Sequence, residues 1–526
     1  METVIQGSTL QTLRAGLRGT AHAPGEEGYE EASRAWNLAD LQTAMIHTTS
    51  SASTATSSPL RRGRTPSVEG RGIQRTLEGE MQAEREVQEN VARPLPEDTL
   101  WVRFVFVDHA GIPKAKAVHR DGFEGRARAG VGLAKGVLAL DPSGALHPES
   151  GLSPVGECRL VPDLSTLTAL PFARGQAMVS VDMTEPDAST PWEGCPRSAL
   201  KRVLERLSDR GYRTLASYEA EFYVWDAEGP LDRTPYAGSY ALTAAADFVA
   251  ELAQTLEEMG IRPEQCHAEV GQGNLELSVG EDEALAAADK RVMVLEAIRG
   301  VAYRMGLGTT MAPKPYLEGA GNGHHLHLSL HRDETPVLFD ATGALSGPGS
   351  GFVAGILQHM PAVMAFTAPS PNSYQRLAPG MWASAYAAFG LDNREAAVRL
   401  ASPVAGRESA TANVELKPVD VTSNPYLALA AVLAAGLDGI ERGLDPGEPT
   451  MVDPATLSDE ERASRGILPL PASPDEALDA LEEDHVLMEA LGEPLVRTHV
   501  AVARAQANMA RELPPEEVAA TAAMLY

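Results

Sequence analysis

Apolar and polar residues alternate in LWVRFVFVD, Leu100–Asp108, up to the turn signal HAGIP, and a period of two predicts a strand there. AKAVHR and MVSVDM (Met178–Met183) predict further strands, joined by Pro- and Gly-rich stretches, so residues 96–190 read as a small, mostly β domain. CPRSALKRVLERLSDRGY then predicts a helix, with Pro196 near its start and Gly211 just past its end. Residues 191–526 alternate helices (242–259, 283–305, 425–442) with short polar-faced strands, and the C-terminal stretch reads as helices. The most apolar run, Leu427–Leu437, covers about half the length a membrane span needs and reads as a buried helix.

Ahead of these elements the pattern fades. Residues 43–95 read as a disordered linker, because 43–80 are rich in Ser, Thr, Gly and Arg with little apolar periodicity. Within residues 1–42, GTAHAPGEEGYEEASRAWN (Gly19–Asn37) is similar to the opening of flavin-linked oxidases of the berberine-bridge type. No room remains before residue 95 for a flavin-binding body, so this segment is expected to be non-functional. A fusion scar, a start of translation at Met81 and a chance amphipathic tail are its three readings.

Composition narrows the function classes. The chain has 526 residues, enough for about two or three domains, and a formal net charge of -28. Such acidity argues against nucleic acid or an anionic membrane as partner. The three cysteines, Cys158, Cys195 and Cys266, lie far apart in no CxxC spacing, which excludes a disulfide framework and a thiolate zinc site. The N-terminus has no basic start followed by an apolar core, so no secretory signal is expected and the cytoplasm is the default compartment.

Four strand-like segments carry the candidate chemistry. SYEAEFYVW has Glu219 and Glu221 at i and i+2, and HAEVGQGNLELSV places Glu269 and Glu276 either side of a Gly-Gln-Gly turn, where they can face each other across a hairpin. HHLHLSL has His325 and His327, and NVELKPVD has Glu415 and Lys417, again at i and i+2. Residues two apart in a strand share a face, so each segment projects polar groups onto one side of a sheet. Glu219 and Glu221 alone read as a solvated strand face. Bundled carboxylates are unfavourable unless a cation sits among them, and oxygen donors with an imidazole suit Mg²⁺ or Mn²⁺. Arg376 in NSYQRLAPG, with Arg394 and Arg399 in LDNREAAVRL, adds guanidinium groups that match phosphate and carboxylate oxygens. Together they suggest phosphoryl transfer without a Walker A motif.

From about Leu100 onward these motifs, with MAPKPYLEGAGNGHHLHLSL and NVELKPVDVTSNPYLALAAVLAAGLDGI, resemble the glutamine synthetase superfamily. The resemblance implies an α+β fold: a β-grasp N-terminal domain and a catalytic domain built as a curved antiparallel half-barrel with helices. It implies ATP and two or three Mg²⁺ or Mn²⁺ ions per site, and homo-oligomeric stacked rings, hexamer or dodecamer, with active sites at subunit interfaces. By motif position, one metal would use Glu221, Glu269 and Glu276, the other Glu219, His325 and Glu415. His327 and Ser329 match nucleotide-contacting positions, Gly321 and Arg376 glutamate-binding ones, Arg394 and Arg399 phosphate-stabilising ones. His324 replaces an ordinarily apolar residue.

The departures concern the amine. In relatives that use ammonium, a Glu on a flap just after the NSYxRLxPG motif and an Asp in the N-terminal domain make a negative site. Trp382 stands at the Glu position, and GVGLAKGV (Gly130–Val137) contains no acid. An indole offers instead an apolar wall and cation–π attraction for an organic ammonium, or it serves packing alone. Lys417 replaces an Arg that grips the substrate carboxylate, Ala320 stands where Asn is common, and the adenylylation Tyr is missing from PGEPTMVDPATL. The expected function is therefore an ATP-dependent ligase that joins glutamate to an organic amine through a γ-glutamyl phosphate. Glutamine synthetase proper and a catalytically idle scaffold are the alternatives.

Overall fold

The computed structural model describes residues 95–340, 342–404, 406 and 411–526. The oxidase-like opening and nearly all of the expected linker lie outside the described residues. The small N-terminal sheet runs in the order Pro113–His119, Trp101–Val107, Gln176–Thr184, Glu157–Pro162, Val131–Ala134. Trp101–Val107 and Gln176–Thr184 are parallel, and their neighbours are antiparallel. Strict alternation breaks down in Trp101–Val107 because both faces are covered. Val102, Phe104 and Phe106 fill the small domain's core, while Val105 and Val107 pack into the main one.

Among the described residues the main sheet has 12 strands. Its path runs Leu468–Pro469, Tyr386–Leu391, Ala396–Ala401, Asn413–Leu416, Leu326–Arg332, Arg213–Asp226, Asn274–Val279, Pro263–Ala268. The strands that carry the acidic motifs are antiparallel neighbours, whereas Tyr386–Leu391 and Ala396–Ala401 run parallel. The long central strand, Arg213–Asp226, alternates buried and half-buried residues from Arg213 to Ala220. Its buried face meets helices.

The helices start and stop where the sequence signals lie. Pro196–Asp209 has Cys195 as its N-cap and Pro at N1, and Gly211 beyond its end has φ +76°. In Pro425–Arg442 the Asn424 side chain accepts from Tyr426 N and Leu427 N, and Gly443 ends it at φ +62°. The run Leu427–Leu437 is buried on every side. Gly439 lets it cross Gly347–Thr367 closely: a Cβ there would come within 2.0 Å of Gly351 O. Among the described residues no helix is long and apolar enough to cross a membrane.

Arg197 ties the two sheets' neighbourhoods together. It pairs with Asp163 at 2.7 Å and Asp182 at 3.0 Å on the small-domain side, and with Asp289 of helix Ala284–Met305 at 2.7 Å. Three carboxylates around one buried guanidinium compensate its desolvation.

Candidate active site

Strand register assembles the site. Glu276 lies opposite Glu221, and Ser278 opposite Glu219. Across the next strand Glu276 faces His267. On the other side of the central strand, His327 faces Glu415 and Glu415 faces Arg399. Residues far apart in sequence, such as His327 and Glu415, thus meet as cross-strand neighbours.

Among the described residues, donor atoms come within 4.8 Å of one another in each of two groups: Glu219, His327 and Glu415, and His267, Glu269 and Glu276. His325 joins the first, with Nδ1 3.2 Å from Glu415 Oε1, 3.6 Å from Glu219 Oε2 and 3.8 Å from Glu221 Oε1. His327 Nε2 lies 3.1 Å from Glu219 Oε1, and its Nδ1 is 2.9 Å from Asn413 Oδ1. Gly323 N donates to Glu221 Oε2 at 2.8 Å. A Cβ on Gly323 would stand 2.4 Å from His325 Nε2 and 2.8 Å from Glu221 Oε1, so only glycine fits between these two.

The hairpin expected around Gly271–Gly273 forms, with one correction. Glu269 is not opposite Glu276; it lies past the strand end, its N donating to Asn274 O at 2.8 Å. His267 occupies the facing position, with Nε2 3.2 Å from Glu269 Oε1 and Nδ1 3.9 Å from Glu276 Oε1. Sequence reasoning missed His267, although it stands two residues before Glu269 in the same HAE segment.

The electrostatics fit a cation. Burial, then repulsion from Glu219, Glu221, Glu269 and Glu415, pushes the Glu276 carboxyl up to about 10. Burial also raises Glu221 against the attraction of His325. Glu415 goes the other way: burial raises it, but Lys417, His325, His327 and Arg399 outweigh that and hold it down at about 2. Burial disfavours the His327 imidazolium, yet Glu219 and Glu415 push it up to about 9. Carboxylate oxygens with imidazole nitrogens suit a hard divalent ion, which would relieve the crowding around Glu276.

The remaining expected residues surround this cluster. Arg376 is buried, with Nη2 donating to Val419 O at 3.0 Å and to Lys417 O at 3.3 Å, and its Nε has no hydrogen-bond partner among the described residues. Gly321 lies against it: a Cβ would come 2.6 Å from Arg376 Cγ. Lys417 Nζ is 3.3 Å from Glu415 Oε1. Ser329 Oγ is 2.8 Å from His331 Nε2. Arg394 is exposed on the loop between Leu391 and Ala396. His324 is buried beside the Tyr218 ring at 5.8 Å, and burial holds its imidazole well below the ordinary range.

Trp382 is 56% exposed, and its ring lies 6.3 Å from Tyr236, edge to face. The Tyr236 ring lies 5.8 Å from His267 in the same manner. An aromatic row therefore runs from Trp382 to the His267–Glu269–Glu276 group.

Comparison with known proteins agrees with this architecture. Residues 90–192 match the glutamine synthetase N-terminal domain, and residues 193–519 the glutamine synthetase catalytic domain. The chain is 38% identical over 430 residues to gamma-glutamylpolyamine synthetase GlnA3 of Streptomyces coelicolor, covering 80% of this chain and 92% of that protein. It is 36% identical to the glutamine synthetase of Pyrococcus woesei over 75% of this chain and 87% of the relative. Among solved structures, a novel glutamine synthase homolog superposes with a TM-score of 0.74 at 35% identity, covering 82% of this chain and all of the other. A GmaS/ADP complex gives 0.70 at 28%, covering 80% and 95%. The chain belongs to the glutamine synthetase family.

Proposed function

We propose that this family ligase joins the γ-carboxylate of glutamate to an organic amine at the expense of ATP. The observation that carries the reading is Trp382, an exposed indole at the end of an aromatic row that leads to the acidic cluster. The relative GlnA3, a gamma-glutamylpolyamine synthetase, supports it.

Glu219, His325 and Glu415, with Glu221, Glu269 and Glu276, would hold Mg²⁺ or Mn²⁺. These ions supply positive charge where the anionic phosphates and carboxylate must approach. Gly321, Arg376 and Lys417 bind glutamate, and His327 and Ser329 contact the nucleotide. A γ-carboxylate oxygen attacks the γ-phosphorus of ATP, ADP leaves, and a γ-glutamyl phosphate forms. Arg394 and Arg399 neutralise the charge that develops on the transferring group. The amine nitrogen then attacks the acyl carbon, loses a proton, and phosphate departs. Trp382, with Tyr236 beside it, gives the alkyl part of the amine an apolar wall and its charge a π face. The working enzyme is a stacked ring, hexamer or dodecamer, with sites shared between neighbours.

Incubation with ATP, Mg²⁺, L-glutamate and an organic amine tests this. The expected product has the mass of glutamate plus amine less water, with Glu415→Ala as the inactive control. Formation of glutamine alone, from ammonium, would return the protein to the plain glutamine synthetases that several relatives are.

A further inference from the structure

Glu395 follows Arg394 in the loop between strands Tyr386–Leu391 and Ala396–Ala401. Its Oε1 accepts from Trp382 N at 2.9 Å. The loop itself is braced. Asn393 Oδ1 accepts from Glu395 N at 3.1 Å, and Asn393 Nδ2 donates to Thr450 O at 2.8 Å and Val452 O at 3.0 Å.

The segment that Glu395 grips is unusual. Trp382 has φ +55° and Ser384 φ +71°, left-handed conformations that bulky side chains rarely adopt. The indole is more than half exposed, so core packing does not impose that conformation. A strained, exposed aromatic residue keeps one orientation only if its backbone is held from outside. The Glu395 carboxylate supplies that hold through the Trp382 N–H.

We propose that Glu395 is a positioning residue for Trp382. It fixes the Gly380–Trp382 turn so that the indole stands beside Tyr236, and it couples this wall to the loop that carries Arg394. The inference rests on the reading of Trp382 as part of the amine site. What the role requires is an acceptor oxygen at the end of a side chain of this length. Glutamine retains that oxygen, and alanine does not.

The test compares wild type, Glu395→Ala and Glu395→Gln, each with and without Trp382→Phe, in the full chain. Subtracting the Trp382→Phe partner isolates the Trp382 emission from the other tryptophans. Without any substrate, Glu395→Ala is expected to raise acrylamide quenching of Trp382 about twofold, and Glu395→Gln to restore the wild-type value. In turnover, Glu395→Ala is expected to raise KM for the organic amine about tenfold while KM for ATP stays unchanged. Wild-type quenching in Glu395→Ala would overturn the proposal. So would a Glu395→Gln variant as impaired as Glu395→Ala, since charge rather than an acceptor would then be needed. If the wild type shows no turnover with an organic amine, the ligase reading fails, and the quenching series still decides the anchor.

Discussion

Arg399 and Glu415 stand opposite each other on antiparallel strands, and Arg399 Nη1 lies 2.7 Å from Glu415 Oε2. The pair joins a guanidinium expected to face phosphate to a carboxylate expected to hold metal. Lys417 and His325 lie within 3.3 Å of the other carboxylate oxygen, so Glu415 is the electrostatic hub of the site.

Replacement of this hub has two consequences. Glu415→Gln leaves Arg399 and Lys417 without their shared counter-charge in a buried site, and it is expected to destabilise the protein by about 3 kcal/mol in urea unfolding. It also removes one proposed ligand of the first metal group, with turnover expected to fall about 100-fold. Mg²⁺ should raise the Tm of the wild type clearly more than that of Glu415→Gln, which keeps only the second metal group intact. An equal Mg²⁺ shift in both proteins would contradict the ligand assignment.

On the proposed function, Trp382 sets the choice of amine. Trp382→Glu exchanges the π face for a carboxylate, and it is expected to lower kcat/KM for the preferred organic amine about tenfold, the equivalent of ~1.4 kcal/mol. Activity with ammonium should rise in the same variant. Unchanged ratios would assign the indole to packing alone.

His359 clamps three helices. Its Nδ1 lies 2.5 Å from Asp484 Oδ2 and its Nε2 3.1 Å from Asp438 Oδ2, and Arg442 also bonds Asp438. Burial disfavours the charged ring, but the hydrogen bonds to Asp484 and Asp438 outweigh it and raise the imidazole above its ordinary value. A raised value means stabilisation that is full below about pH 6.5 and fades as pH climbs through the folded-state value. His359→Gln should therefore cost about 2 kcal/mol near pH 5.5 and progressively less as pH climbs through the folded-state value. Thermal unfolding of both proteins across that range checks the sign.

His109 behaves oppositely. It is buried, both ring nitrogens lack a hydrogen bond among the described residues, and it lies 5.6 Å from His499. Burial, then the neighbouring His499, holds it well below the ordinary histidine range. The unfolded chain thus takes up a proton that the folded one refuses, and stability falls as pH drops below about 6.5. His109→Leu should gain about 1 kcal/mol at pH 7 and flatten the loss between pH 7 and pH 5. An unaltered pH slope would show that His109 gains a proton in the folded state.

Local periodicity made much of this fold readable. The expected helix at 283–305 appears as Ala284–Met305 and that at 425–442 as Pro425–Arg442, because caps and prolines are written beside the elements they bound. Same-face pairing of Glu219 with Glu221 and of His325 with His327 was also legible, since it depends only on the two-residue repeat. Register was not. Nothing local says that Glu276 faces His267 rather than Glu269, or that Arg399 faces Glu415, because those contacts join distant strands. The grip of Glu395 on Trp382 escaped for another reason: it depends on a left-handed turn built without glycine at residue 382.

Phosphate release with ATP, Mg²⁺ and L-glutamate, measured against ammonium, ethanolamine, short alkylamines, polyamines and an arylamine, tests the central claim most directly. At least one organic amine is expected to show kcat/KM about tenfold or more above that of ammonium. Ammonium as the best acceptor in that panel would contradict it.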